Sequence, residues 1–258
     1  MKRFIFWLLL GVVGVASPAF SQGALLEVEL LGNNQYRLPI YGTSSERPHI
    51  YRAYVEAVKG ERYGIRVRNT SDLRIGLVIA VDGRNIISGK KSFLKRNERM
   101  YILDPYASAV YDGWRTSQNQ VNRFYFTTAP DSYAGAWGDH SAMGVIAIAV
   151  FPEKRPPEPI YERRGGTKDQ EGLRRSAPSP KMQAREEPGT GFGEGKYSPS
   201  VRVDFEAEDV AAEQHFLKYE WRETLCRNGI IDCRQPRNRF WPEGRDRGYA
   251  PYPPPYRR

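Results

Sequence analysis

The sequence predicts a mainly β protein: an antiparallel, sandwich-like domain, a disordered linker, a small α+β C-terminal unit and a disordered tail. Three observations carry this. Tyr63, Ile65 and Val67 alternate with Arg62, Arg66 and Arg68 around Gly64, the two-residue period of a strand with one face in a core. Gly144–Phe151 is an uninterrupted apolar, β-branched run, which places it centrally in a sheet. Between Leu25 and Phe151 no helical stripe of useful length appears, and Gly, Asp and Pro recur at short spacing instead.

The chain opens with the three parts of an export signal: Lys2 and Arg3, an apolar run from Phe4 to Ala16, and small residues at Ala19 and Ser21. Cleavage is expected before Gln22, making 1–21 a signal peptide. The apolar run ends at Ser17-Pro18, short of the roughly 20 residues a bilayer span requires. No cysteine sits near the cleavage site to take a lipid, and no later stretch is apolar enough to span.

Over 22–151 the expected strands are Leu25–Leu31, Tyr36–Tyr41, His49–Val58, the Tyr63–Val67 run, Arg74–Val81, Asn85–Ile87, Met100–Leu103, Ala107–Tyr111, Arg123–Thr127 and Gly144–Phe151. Asp82-Gly83 supplies the positive φ angles of a tight hairpin between Arg74–Val81 and its return strand. Ser132–Trp137 suits about one turn of helix. Residues 152–188 hold seven prolines and sixteen charged residues, with only Ile160, Tyr161, Leu173 and Met182 as large apolar side chains. Such a segment buries too little to offset its ordering entropy and reads as a linker.

Residues 189–236 read as a small unit. Val201, Val203 and Phe205 alternate with Arg202, Asp204 and Glu206 as a strand would. His215–Trp221 suits a strand, and 209–228 equally suits one helix stopped by Asn228-Gly229. Cys226 and Cys233, the two cysteines of the chain, pair as a disulfide in an oxidising compartment. Some forty residues are few for an independent domain, so the unit either docks on the β-domain or depends on the disulfide. The tail, 237–258, combines six arginines, five prolines and Trp241.

The net charge of the whole chain is +9; without Lys2 and Arg3 it is 37 basic less 30 acidic residues, or +7. That modest, distributed surplus suits an anionic envelope surface, and export makes nucleic acid an unexpected partner.

Several segments carry a resemblance. They are Val81–Gly89, Gly113-Trp114-Arg115, Phe124–Thr127, Asp131–Ala134 and Gly144–Phe151, followed by Gly189–Gly193 and Ser198-Pro199. In this order they resemble a family of exported bacterial proteins of unassigned function. Its pattern runs Val-Asp-Gly-x-Asn, Gly-Trp-Arg, Phe-x-Phe-Thr, Asp-Ser-Tyr-Ala and Gly-Val-Ile-x-x-Ala-Val-Phe. The resemblance implies no catalytic residue and no ligand, and this sequence departs from the pattern over Gly135–Ser141.

Asp82–Asn85 offers one carboxylate, far from the six to eight oxygens of a calcium site, and no other cofactor or metal pattern is present. Asp131, Ser132, Asp139, His140 and Ser141 share a short stretch, so a hydrolase alternative makes a serine the nucleophile and His140 its base. No Gly-x-Ser-x-Gly elbow accompanies them. Lys90, Lys91, Lys95, Arg96 and Arg99 form a cationic run opposed locally only by Glu98, able to attract phosphate or carboxylate. Tyr101, Tyr106, Tyr111, Tyr125 and Tyr133 enrich the middle of the chain in aromatics, and Trp114 and Trp137, beside glycines, are the expected surface members. Trp241 is the aromatic of the tail. The expectation is a periplasmic or secreted, non-enzymatic binding or structural module whose partner is an envelope protein or an anionic glycan. The hydrolase and a small carbohydrate-binding module are the alternatives.

Overall fold

A computed structural model describes residues 21–43, 47–154 and 187–233. All of the expected signal peptide (1–21) except Ser21, the body of the linker, and the tail with Trp241 lie outside these residues. The elements run β1 (Ser21–Gln22), β2 (Leu26–Leu31), β3 (Ile40–Thr43), β4 (Ile50–Ala57), β5 (Arg62–Asn69), β6 (Ile75–Val81), β7 (Arg84–Asn85) and β8 (Tyr101–Leu103). They continue with β9 (Ser108–Tyr111), β10 (Gly113–Ser117), β11 (Gln120–Thr128), α1 (Tyr133–Ala136), β12 (Val145–Pro152), β13 (Pro188–Thr190), β14 (Gly195–Tyr197), β15 (Glu213–Trp221) and α2 (Arg222–Arg227).

Two sheets form. The first runs β1-β2-β5-β11-β10, with β9 also on β5 and β13 and β14 also on β11. The second runs β3-β4-β15-β12-β6-β7, with β8 also on β6. Every pairing is antiparallel except β15 with β4, which is parallel. Alternate residues of the two sheets meet in one core: Val28, Tyr63, Ile65 and Phe126 from the first face Val55, Ile79, Ile148 and Leu217 from the second. The mainly β, sandwich-like architecture read from the sequence is the one observed.

The uniform apolarity of β6 and β12 has a simple cause. Both strands are interior to the second sheet, and its outer face is covered as well. Val78, Ala149 and Phe151 pack there against Leu94, Met100, Phe205 and Ala207. The β6–β7 hairpin closes through Asp82 (φ 49°) and Gly83 (φ 76°), both left-handed as its two-residue turn requires.

Residues 187–233 do not form a separate unit. β13 and β14 pair with β11, and β15 fills the gap between β4 and β12, so both sheets are completed from beyond the linker. The linker boundaries contract accordingly: Pro152 belongs to β12, Glu153 bridges Ala207, and Pro188 belongs to β13. The strand expected over Val201–Phe205 is absent. Val201 and Val203 are exposed, so their alternation meets no partner face. The expected Tyr36–Tyr41 strand begins only at Ile40, after Pro39. Of the two readings left open for 209–228, the strand holds through Trp221 and a short helix follows. That helix ends at Asn228-Gly229, where Gly229 is left-handed, and Cys226 and Cys233 are disulfide-bonded with their Cα atoms 5.4 Å apart. Among the described residues no helix is long and apolar enough to cross a membrane.

Glu213, buried at the start of β15, holds the N-terminal segment in place. Its carboxylate accepts the backbone N–H of Leu25 at 2.7 Å and of Leu26 at 3.2 Å, and lies 3.3 Å from His215 Nε2. Burial alone raises its pKa. The hydrogen bonds from His215 and the Leu25 backbone outweigh that, and the net shift is downward.

Asp82 is the polar centre of the fold and has no solvent exposure. Its Oδ1 accepts from Gly144 N at 2.8 Å and from the Tyr219 hydroxyl, and its Oδ2 accepts from Thr190 N at 2.7 Å. Because Tyr219 donates to Asp82, Thr190 Oγ1 donates to Tyr219 at 2.8 Å and Tyr63 donates to Thr190 at 2.7 Å. The chain of donors therefore points one way, from Tyr63 to the carboxylate. Desolvation pushes Asp82 from 3.8 up to about 6, against the opposing hydrogen bonds, and raises both phenols well above their ordinary value.

Replacing Asp82 by Ala strips three buried donors of their acceptor, and denaturant unfolding should show a loss of about 3 kcal/mol or more. The pH dependence has a definite sign. The unfolded carboxyl loses its proton before the folded one, so the contribution of Asp82 is full below about pH 4 and declines as pH rises to about 6. The stability difference between the wild type and Asp82→Asn, followed by urea titration from pH 4 to 7, should fall across that window.

Candidate functional site

One end of the sandwich gathers exposed aromatic rings and cations. It is built upward from the hairpin turn. Beyond Gly83 the chain enters β7, where Asn85 is buried: its Oδ1 accepts from the N–H of Ile87 at 2.9 Å and Ser88 at 3.1 Å, while its Nδ2 donates to the Arg99 carbonyl at 2.8 Å. These bonds fold the following loop back so that Lys91 bridges Arg84 in antiparallel fashion. Residues directly opposite in such a bridge project to the same side, so Arg84 and Lys91 present a pair of like charges.

The aromatic part rises from α1. Ser132 caps this single turn, its Oγ accepting from Gly135 N at 2.9 Å and donating to the Ala129 carbonyl at 2.7 Å. Gly189 of β13 passes so close that a Cβ there would come within 2.5 Å of Ser132 Cβ, which is why glycine occupies it. Trp114 is buried below, with its indole N–H donating to the Gly191 carbonyl at 3.0 Å. The half-buried Tyr133 lies on it at 4.4 Å, stacks on Phe192 at 5.5 Å and meets the edge of Trp137 at 6.3 Å. Phe192 is 44% exposed and Trp137 63% exposed.

The two parts meet at Trp137, whose ring lies 5.2 Å from the Arg84 guanidinium carbon. Arg84 donates to the Gly89 carbonyl at 2.9 Å, while its Nε is enclosed without a hydrogen-bond partner. Lys91 Nζ lies 3.5 Å from Asp139 Oδ1, which also accepts from the Ser141 hydroxyl at 2.6 Å. The Ser141 bond, with Lys91 adding to it, holds Asp139 below its ordinary pKa against the opposing effect of burial, so it is ionised near neutral pH.

The expected site residues are dispersed by this geometry. Trp137 is at the surface as expected. Trp114 is not: it lies in β10 rather than a loop and is only 2% exposed, because its partners Phe124 and Tyr133 close over it. The cationic run is split. Lys91 pairs with Asp139, Arg96 with Asp209, and Lys95 lies 5.9 Å from the Phe93 ring, while Lys90 is exposed. Local opposition by Glu98 alone therefore understated the acidic partners that tertiary contacts supply. Arg84 and Phe192 carry no sequence signal beyond lying in the Asp-Gly-Arg and Gly-Phe-Gly runs.

The hydrolase arrangement is not assembled. Ser132 is spent as a helix cap, Ser141 bonds Asp139, and among the described residues no hydrogen bond joins His140 to either serine. Among the described residues no group of three or more His, Cys, Asp or Glu side chains is placed to hold a metal. A polar cleft of about 380 Å³ lies on the outer face of the first sheet, but its charges satisfy one another through Glu29 with Arg37 and Arg66 and Glu27 with Arg68. Comparison with protein-family models, with curated proteins and with solved structures finds no match.

Ser132→Ala should lower stability by about 1 kcal/mol through the lost cap, while His140→Ala should stay within about 0.5 kcal/mol; thermal melts of the two variants measure the contrast.

Proposed function

We propose that this chain is an exported, non-enzymatic binding module that recognises a glycan by stacking sugar rings on Trp137 and Phe192. The carrying observation is the exposure of these two rings on a rigid support. Trp114 is fixed by its hydrogen bond to Gly191, Tyr133 rests on Trp114, and Phe192 and Trp137 rest on Tyr133. Exposed aromatics gathered this way lie idle in an isolated monomer and are characteristic of recognition surfaces. The apolar face of a sugar ring is complementary to them in size and chemistry.

A periplasmic or secreted site of action is part of the proposal. The signal-like segment at the N-terminus supports it, and the Cys226–Cys233 disulfide is of the kind found in oxidising compartments. A binding role also accounts for Ser132, which serves the support of the face rather than chemistry.

The test is titration calorimetry of the chain from Gln22 onward against a panel of neutral and acidic oligosaccharides. The double variant Trp137→Ala/Phe192→Ala should bind about tenfold more weakly or worse, with its melting temperature nearly unchanged because both side chains are exposed. Undiminished binding by the double variant, or no oligosaccharide bound by the wild type, would overturn the reading.

A further inference from the structure

We infer that the margin of this face is a carboxylate subsite, formed by Arg84 and Lys91, that directs the module to acidic sugars such as uronates. The inference rests on the glycan reading and adds to it the charge of the ligand.

Three observations carry it. First, Arg84 and Lys91 oppose each other across a β-bridge, where like charges destabilise the pairing and stability alone does not favour them. Second, Arg84 has a donor in want of an acceptor: one terminal nitrogen is tied to the Gly89 carbonyl, and Nε is enclosed with none. An enclosed donor without an acceptor is costly, so hydrogen bonding within the chain does not by itself favour the guanidinium at this place. Third, the guanidinium lies against Trp137, so a sugar on the aromatic face brings its ring substituents to the same margin.

Charge then selects the kind of anion. Arg84 and Lys91 contribute two positive charges and Asp139, paired with Lys91, removes one. A net single positive charge matches a carboxylate, whereas a phosphate monoester carries close to two negative charges at neutral pH. The planar carboxylate also suits the in-plane donors of a guanidinium.

The experiment uses the chain from Gln22 onward and three probes of equal length: a hexameric uronate, the same hexamer with its carboxyls reduced to alcohols, and a hexamer bearing phosphate monoesters. The wild type should bind the uronate about tenfold or more tightly than the reduced oligomer, the gain expected of a charge-assisted hydrogen bond. Arg84→Gln should bring the ratio of these two affinities close to one. Lys91→Gln, which leaves the Arg84–Trp137 contact in place, should lower it severalfold, so the inference stays testable if the Arg84 variant folds poorly. A wild-type ratio near one, or a ratio unchanged in either folded variant, overturns the carboxylate subsite while leaving glycan binding standing. Tighter binding of the phosphorylated oligomer overturns the choice of carboxylate. No binding of any oligomer overturns both this inference and the reading it rests on.

Discussion

The carboxylate of Asp82 sits where four separate parts of the chain must agree. It directly follows β6, and it accepts hydrogen bonds from the entry to β12, from β13 and from the C-terminal half of β15. No apolar contact could impose the same arrangement, because apolar packing is non-directional and tolerates rotation of one element on another. Three donors converging on two oxygen atoms do not. The carboxylate is enclosed, so each donor that missed it would be left unsatisfied at a cost comparable to a good part of the stability of a domain. The hydroxyl relay through Tyr219 and Thr190 to Tyr63 carries the constraint from the second sheet across the core to the first.

The exposed face inherits its geometry from this centre. Arg84 begins immediately after the Asp82-Gly83 turn. Thr190, held by Asp82, is followed by Gly191, whose carbonyl anchors Trp114, and then by Phe192. Gly144, also held by Asp82, closes the loop that carries Trp137, Asp139 and His140 back into β12. Asn85, Trp114 and Ser132 are supports: each is buried and each satisfies a backbone group that would otherwise be unpaired.

The C-terminal segment is as much a part of the sandwich as the strands before the linker. Parallel pairing with β4 and antiparallel pairing with β12 leave β15 with hydrogen bonds on both edges. Glu213 at its start then clasps the residues leading into β2, and Cys226 and Cys233 close the chain just past its end. Strands from before and after the linker therefore share one two-sheet core, and unfolding is expected to be cooperative across them.

Local chemistry alone determined much of this protein. The two-residue alternation of Tyr63, Ile65 and Val67, the unbroken apolar runs of β6 and β12, the Asp82-Gly83 turn, the single turn after Ser132 and the cysteine pair are each dictated by neighbours in sequence. The tertiary structure decided the rest. β10, β13 and β14 are short and rich in glycine or polar residues, and they are strands only because β11 offers them backbone partners. Val201 and Val203 show the converse, an alternation with no face to pack against. Trp114 and Trp137 stand beside similar glycines, yet one is enclosed by Phe124 and Tyr133 while the other faces solvent. The pairing of Arg84 with Lys91 and Trp137 was invisible for the same reason. Burial and proximity belong to contacts between residues distant in sequence, and a period or a motif reports only on residues that are near.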